Sequence, residues 1–257
     1  MHRGRLAGLL LWGIFLLGGC AHHPADDPAD PLENVNRAMW SFDEKADKYV
    51  LRPVAVGYVK VTPTWMRRCV ANFLSNVTYT TTIVNDLAQL KMVHFGSDIG
   101  RFVFNSIWGI GGLFDPATVV GLEKHDEDFG QTLGYWGVGE GWFLMLPFFG
   151  PSDNRDLVGK GVDIFTVPTH YLPGRYDLPN YLVSYVVSPV SQRAGTLSED
   201  SLLNQQFDTY LFVRTAYLQR RQALIYDGNP PAESYDVDSG DDSSPAKTPA
   251  ASTPQKK

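Results

Sequence analysis

Hydrophobic positions recur at helical spacing through much of the chain. Val35, Met39, Phe42, Ala46 and Tyr49 fall on one face of a helix expected over about residues 31–50. Arg52-Pro53 interrupts that helix, and a second short one runs from Pro53 until Thr62-Pro63 breaks it. Thr64 is placed to cap a helix carrying Met66, Val70, Phe73 and Leu74. A separate helix is expected over about residues 79–91, with Ile83, Val84, Leu87 and Leu90 on one face. Ser97 caps the next, residues 98–108. In it Ile99, Phe102, Val103 and Ile107 share a face, and Asn105 and Ser106 lie off that face. The last helical region covers about residues 197–226, with a break near Asp208. Ser198, Glu199 and Asp200 open it, Arg220 and Arg221 lie near its end, and Gly228 stops it, an order that suits the helix dipole. The pattern predicts a mainly α fold in a single domain.

Three stretches break from amphipathic patterning. Residues 129–152 hold one charge, Glu140, in 24 positions, yet six are glycine and two proline, which argues against a regular membrane-crossing helix. Seven of these residues are aromatic. Within them Gly137, Gly139 and Gly141 separate two apolar runs and predict a short hairpin or hinged loop. Residues 102–114 are also uncharged and end in Gly109-Ile110-Gly111-Gly112. Residues 178–192 form the third stretch, rich in Tyr and Val. Any one of them reads as buried core. Three together, rich in rings suited to a bilayer's headgroup level, point to partial embedding in one leaflet.

The N-terminus supplies a reason for a membrane to be nearby. Arg3 and Arg5 precede 14 uncharged residues, 6–19, too short a run to span a bilayer. Residues 1–19 therefore read as a secretory leader, and Leu17-Gly18-Gly19-Cys20 resembles a bacterial lipobox. In that class Cys20 becomes the first mature residue and carries acyl chains on its sulfur and amine. Residues 20–30 read as a tether and 31–227 as the folded domain. Residues 228–257, with five acidic residues and three lysines among Pro, Ser and Ala, lack the apolar content to fold.

Charge excludes one class of function. The chain has 22 basic and 28 acidic residues, a net charge of −6, without the clustered basic surface of a nucleic-acid binder. Two cysteines make neither a disulfide framework nor a Cys-rich zinc site. The motifs of serine hydrolases, zinc proteases and P-loop proteins are all missing, so no catalytic residue is assigned. His125-Asp126-Glu127-Asp128 reads as a solvated turn in which Asp126 caps the segment beginning at Glu127. No metal or cofactor is expected.

The order of several short motifs resembles one family, the MlaA (VacJ) outer-membrane lipoproteins. Asp30-Pro31-Leu32-Glu33 and Asn36-Arg37-Ala38-Met39 are similar to its start, followed by Arg52-Pro53-Val54-Ala55, Asn72-Phe73 with Asn76, and Val84-Asn85-Asp86. Arg101-Phe102 with Asn105-Ser106 and the glycine turn before Asp115 resemble its middle helix. Residues 125–141 and 146–150 continue in the family's order, and Tyr210, Val213-Arg214 and residues 217–221 look like its closing helix.

The resemblance implies a ring of helices in the periplasm-facing leaflet of the outer membrane of a Gram-negative bacterium. Such proteins take phospholipid misplaced in the outer leaflet, pass it to a soluble periplasmic carrier, and associate with trimeric porins. In those terms Arg101, Asn105 and Ser106 are candidates for the polar wall of a lipid path. Gly109, Gly111 and Gly112 let the backbone bend beside it, and Gly137, Gly139 and Gly141 are candidates for a gate or hinge. Two other readings suit the same composition: a lipoprotein that tethers a surface factor, and a membrane-associated phospholipase.

Overall fold

The computed structural model describes residues 30–168, 171 and 182–231. Helix α1, Glu33–Ala46, passes through a π-helical turn, Asp47–Leu51, into α2, Arg52–Val61. Arg52-Pro53 therefore does not interrupt the first helix. The wider turn absorbs a proline whose ring would clash with the carbonyl of Tyr49 in a regular helix. The break at Thr62-Pro63 is real: Thr62 is extended and Pro63 precedes α3, Thr64–Ala88.

Helix α3 is one helix of 25 residues, not the two expected from the sequence. Residues 75–78, Ser-Asn-Val-Thr, have weak helix propensity but include neither Gly nor Pro. Tertiary contact carries the helix across them, for Asn76 is buried and donates to Ser106 Oγ at 3.1 Å. Helix α4 runs Met92–Ile107, so Ser97 lies inside it rather than at its cap. The Ser-Asp pair that imitates a cap is instead a site of tertiary bonding, since Asp98 is fully buried.

A single-turn helix α5, Pro116–Val119, leads to α6, Phe129–Tyr135, capped by Asp128 accepting from Gln131 N–H at 2.8 Å. Strands β1, Phe143–Leu146, and β2, Gly150–Asp153, pair antiparallel with Phe143 opposite Asp153. The hairpin thus lies just beyond the Gly137–Gly141 segment, which is a loop. Helix α7, Asn154–Asp163, follows directly. Farther along the described chain come a π turn, Val183–Val187, and α8, Ser188–Gly195, then a short α9, Asp200–Leu203. Helix α10, Thr209–Ile225, starts at Asp208, whose carboxylate accepts from Leu211 N–H at 3.1 Å. It ends in a Schellman motif, with Gly228 N–H on Ala223 O at 2.7 Å and Asp227 N–H on Leu224 O at 3.2 Å.

Contacts between elements close a circuit. Helix α1 lies on β1, β2 on α10, α10 on α6, α6 on α3, α3 on α8, and α8 on α2, which returns to α1. One small apolar cluster, Phe143, Met145 and Tyr210 packed by Met39, Trp40 and Leu218, sits where α1, the hairpin and α10 meet. Elsewhere the burial pattern is reversed. Among the described residues seven hydrophobic side chains are buried against eighteen polar or charged ones, the opposite of a water-soluble domain. On α1 the residue buried is Asn36, while Val35 and Phe42, and Tyr49 in the π turn after it, are exposed. On α4 Asp98, Arg101 and Asn105 are buried, while Ile99, Val103 and Ile107 are exposed.

Asn36 shows how such an interior holds together. Its amide donates to Asp30 Oδ1 at 2.7 Å and to Phe143 O at 3.0 Å, and accepts from Met145 N–H at 2.9 Å. A helix side chain thereby replaces a neighbouring strand at the free edge of β1. Asn36→Ala should cost about 2–4 kcal/mol, because buried peptide groups of Phe143 and Met145 lose their partner. Val35→Ala, on the exposed face of the same helix, should stay within about 0.5 kcal/mol. Thermal melts of the two variants in detergent check the contrast.

Candidate functional site

Polar residues run along the inner face of α3 at helical spacing, Asn72, Asn76, Tyr79, Thr82 and Asp86, and continue to Gln89 at its C-cap. The apolar periodicity of the sequence does not mark this stripe. Its signal is a three- or four-residue period of polar groups within a helix, the complement of the usual rule. Two adjoining clefts lie along it. One, of about 160 Å3, is bounded by Asn72, Ser75, Asn76, Tyr79, Arg101, Asn105, Asp115 and Lys124. The other, of about 230 Å3, shares Ser75, Tyr79 and Lys124 and extends past Thr82, His125 and Glu127.

Arg101 and Asn105 both face the first cleft, and their polar atoms are already engaged. The Arg101 guanidinium donates to Leu122 O at 2.5 Å, to Asp115 Oδ2 at 2.5 Å and to Thr118 Oγ1 at 3.0 Å. Asn105 donates to Asp115 Oδ1 at 2.9 Å and accepts from Ala117 N–H at 3.0 Å. Burial works to raise the Asp115 carboxyl, but bonds from Thr118 and Asn105 and the charge of Arg101 hold it below the usual carboxylate range. These two residues clamp the turn before α5 and make the cleft's far wall. Ser106 lies one step back and accepts from Asn76.

The glycines divide into packed and open positions. Gly111 and Gly112 have positive φ, and a Cβ on Gly112 would come within 2.5 Å of the Asn76 side chain. A Cβ on Gly109 would meet Asn105 O at 2.3 Å. The glycine turn is thus pressed against the cleft's polar wall. In the second loop Gly137 and Gly141 have positive φ and Gly141 abuts Asn154, whereas Gly139 has open space around it.

Residues 125–128 are not a solvated turn capped by Asp126. The segment has no regular secondary structure, and burial alternates along it up to Asp128, which is extended. His125 and Glu127 face inward, Asp126 faces solvent, and Asp128 is the cap. His125 Nδ1 lies 3.0 Å from both oxygens of Asp98, and its ring stacks on His94 at 4.1 Å. Tyr79 donates to the same carboxylate at 2.8 Å, and burial together with Asp98 pushes its hydroxyl pKa upward. Glu127 accepts from Gln89 at 2.8 Å and pairs with Lys91 at 2.9 Å.

Farther along the ring Arg221 binds Asp128 with two nitrogens and Asp156 at 2.5 Å. Burial opposes its charge, but the two carboxylates outweigh that and hold it protonated. Glycines let α6 and α7 cross here: a Cβ on Gly159 would meet Gly130 N at 2.4 Å.

None of these groups forms a nucleophile with an activating base. Among the described residues no cluster of ligands suited to a metal ion occurs, and no helix is long and apolar enough to cross a membrane. Cys20 and most of the C-terminal tail lie outside the described residues.

A family model described as MlaA lipoprotein matches residues 28–224. The intermembrane phospholipid transport system lipoprotein MlaA of Escherichia coli strain K12 is 36% identical over 234 residues, covering 87% of this chain and 90% of the relative. The protein of the same description from Haemophilus influenzae is 33% identical over 230 residues, covering 85% of this chain and 89% of the relative. A solved structure reported in work on maintenance of bacterial outer membrane lipid asymmetry superposes with a TM-score of 0.66 at 33% identity. That match covers 78% of this chain and 99% of the other.

One buried group gives this region a pH signature. Asp86 is fully buried, and burial, then the neighbouring carboxylate of Asp98, pushes its carboxyl up to about 8. Neither Asp86 oxygen has a hydrogen-bond donor beside it, so its neutral form is favoured at neutral pH. A raised carboxyl pKa stabilises the fold below the unfolded value, and that contribution is lost as pH rises toward 8. Asp86→Asn, which keeps a donor and cannot ionise, should match the wild type near pH 5 and melt higher near pH 8. Melting temperatures of both proteins from pH 5 to 8.5 test this; a variant that loses most stability at pH 8 would contradict it.

Proposed function

The chain belongs to the MlaA lipoprotein family, and from that membership we propose that it is an outer-membrane lipoprotein which withdraws phospholipid from the outer leaflet and passes it to a periplasmic carrier. In this reading it serves retrograde phospholipid transport and keeps the outer membrane asymmetric. The observation that carries the reading beyond kinship is the reversed burial. Exposed Trp108, Phe114, Trp136, Trp142, Phe148 and Phe149 surround an interior of amides, hydroxyls and paired charges. Each large apolar side chain moved from water into hydrocarbon is worth about 1.5–3 kcal/mol, so the outer faces favour a leaflet. The polar clefts along α3 offer the headgroup a route while the tails remain in the apolar phase.

In this proposal the acyl chains on Cys20 hold the protein to the periplasm-facing leaflet, and the ring lies in that leaflet without spanning the bilayer. Trimeric porins hold it laterally, and a soluble carrier receives the lipid. Transport of this kind makes and breaks no bond, so the protein acts as a conduit and not as an enzyme. Arg101, Asn105 and Ser106 contribute by fixing the polar wall, and the Gly137–Gly141 loop is the moving part.

Deleting the gene should raise outer-leaflet phospholipid, read by an outer-membrane palmitoyl-transfer reporter. Wild type should reverse the rise and Cys20→Ala should not. No rise, with the protein shown to be expressed in the parent strain, would favour a tethering role. The gate is tested at Gly139, where open space and ordinary backbone accept a side chain. Gly139→Val should leave protein levels unchanged and slow lipid clearance several-fold in the same reporter; unchanged clearance removes the loop from the mechanism.

A further inference from the structure

We infer that Lys124 is the group by which the cleft takes hold of a phospholipid's phosphate, an inference that rests on the transport reading and gives it a recognition residue.

Charges around the two clefts are nearly all spoken for. Arg101 is held by Asp115, His125 lies on Asp98, Glu127 pairs with Lys91, and Asp128 pairs with Arg221. Asp126 has only a loose 3.6 Å contact with Arg220. Lys124 differs. It lines both clefts, and among the described residues no hydrogen bond or ion pair engages its ammonium.

The hydrogen-bond donors divide in the same way. Asn72 gives its amide to Leu113 O, Asn76 to Ser106, and Tyr79 its hydroxyl to Asp98. The Ser75 hydroxyl, shared like Lys124 by both clefts, makes no bond to a described residue. The unspent donors at the junction are therefore one ammonium and one hydroxyl. That pair suits a singly charged group with several acceptor oxygens, and an ammonium binds phosphate as a point charge on a flexible stem.

The surroundings favour a lipid source. Asn72 binds the backbone of Leu113, so the exposed side chains of Leu113 and Phe114 flank the first cleft. A molecule with a phosphodiester in the cleft can lay its chains over that surface. Arg101 is not an equivalent cation, since its two terminal nitrogens are already committed to protein oxygens.

The test uses the full-length acylated protein in non-ionic detergent. Dihexanoyl phosphatidylglycerol, dihexanoylglycerol and inorganic phosphate are titrated separately. Lys124→Gln should weaken binding of the phospholipid about tenfold, as expected for losing one charged hydrogen bond. Lys124→Arg should stay within about threefold of wild type. Lys60→Gln, which removes an exposed lysine outside the clefts, should change nothing. Binding of dihexanoylglycerol should be the same in all four proteins, and melting temperatures should not move.

Equal phospholipid binding by wild type and Lys124→Gln overturns the inference and leaves the transport reading standing. Inorganic phosphate binding as tightly as the lipid, with the same dependence on Lys124, makes the cleft a free-phosphate site and overturns the headgroup assignment. No binding of phospholipid by the wild type brings down the transport reading and this inference with it.

Discussion

An interior made of polar side chains must satisfy every donor and acceptor it encloses, and the path of this chain follows from that requirement. An unpaired buried polar group costs about 1–3 kcal/mol, several times what a satisfied hydrogen bond contributes net. The helices are accordingly tied in pairs by specific partners. Asn36 joins α1 to β1, Asn76 joins α3 to the end of α4, and Arg221 joins α10 to the cap of α6 and to α7. Each bond spans distant parts of the sequence, so the circuit of elements closes or fails as a unit. Among the described residues the buried apolar cluster lies around Phe143 and Tyr210. The apolar faces remain outside, where hydrocarbon, and not water, is the solvent that suits them.

Much of the fold was legible in local chemistry. Thr62-Pro63, Asp208 and Gly228 mark boundaries through rules that depend on neighbours in sequence, and the structure places all three at helix ends. Misreadings arose where tertiary contact overrides local preference. A Ser-Asn-Val-Thr run looks like a gap between helices, yet Asn76 finds Ser106 and the helix continues. Ser97-Asp98 looks like a cap, yet Asp98 is wanted by Tyr79 and His125. The candidate site was half visible. Arg101 and Asn105 were found because they leave an apolar face, but their partner Asp115 lies across a turn that periodicity does not describe. Apolar periodicity does not point to the stripe on α3, because in an inverted molecule the polar face is the informative one.

The same inversion separates rigidity from motion. Packed glycines at Gly109, Gly112 and Gly130 let backbones and side chains approach so closely that any side chain there would displace a polar wall. They hold the cleft's shape. A Cβ at Gly137 or Gly139 would meet nothing, and their loop connects α6 to the hairpin. Open space for a side chain thus lies beside the polar interior and not within it. In the proposed transport role this division would let the walls present fixed donors while the mouth changes width.

A fixed polar wall also bears on how fast a lipid could move. A site that binds a phosphate too strongly would retain it, and one with no affinity would leave the headgroup to cross an apolar surface unsolvated. The saturated pairs around Arg101, Glu127 and Arg221 cannot exchange onto a passing lipid without leaving a buried charge unpaired, at a cost of about 3–5 kcal/mol. One uncommitted ammonium on an exposed stem avoids both extremes, because it is hydrated before the lipid arrives and after it leaves. A path built this way lowers the barrier equally in both directions. Net removal of phospholipid must then come from whatever takes the lipid away on the periplasmic side.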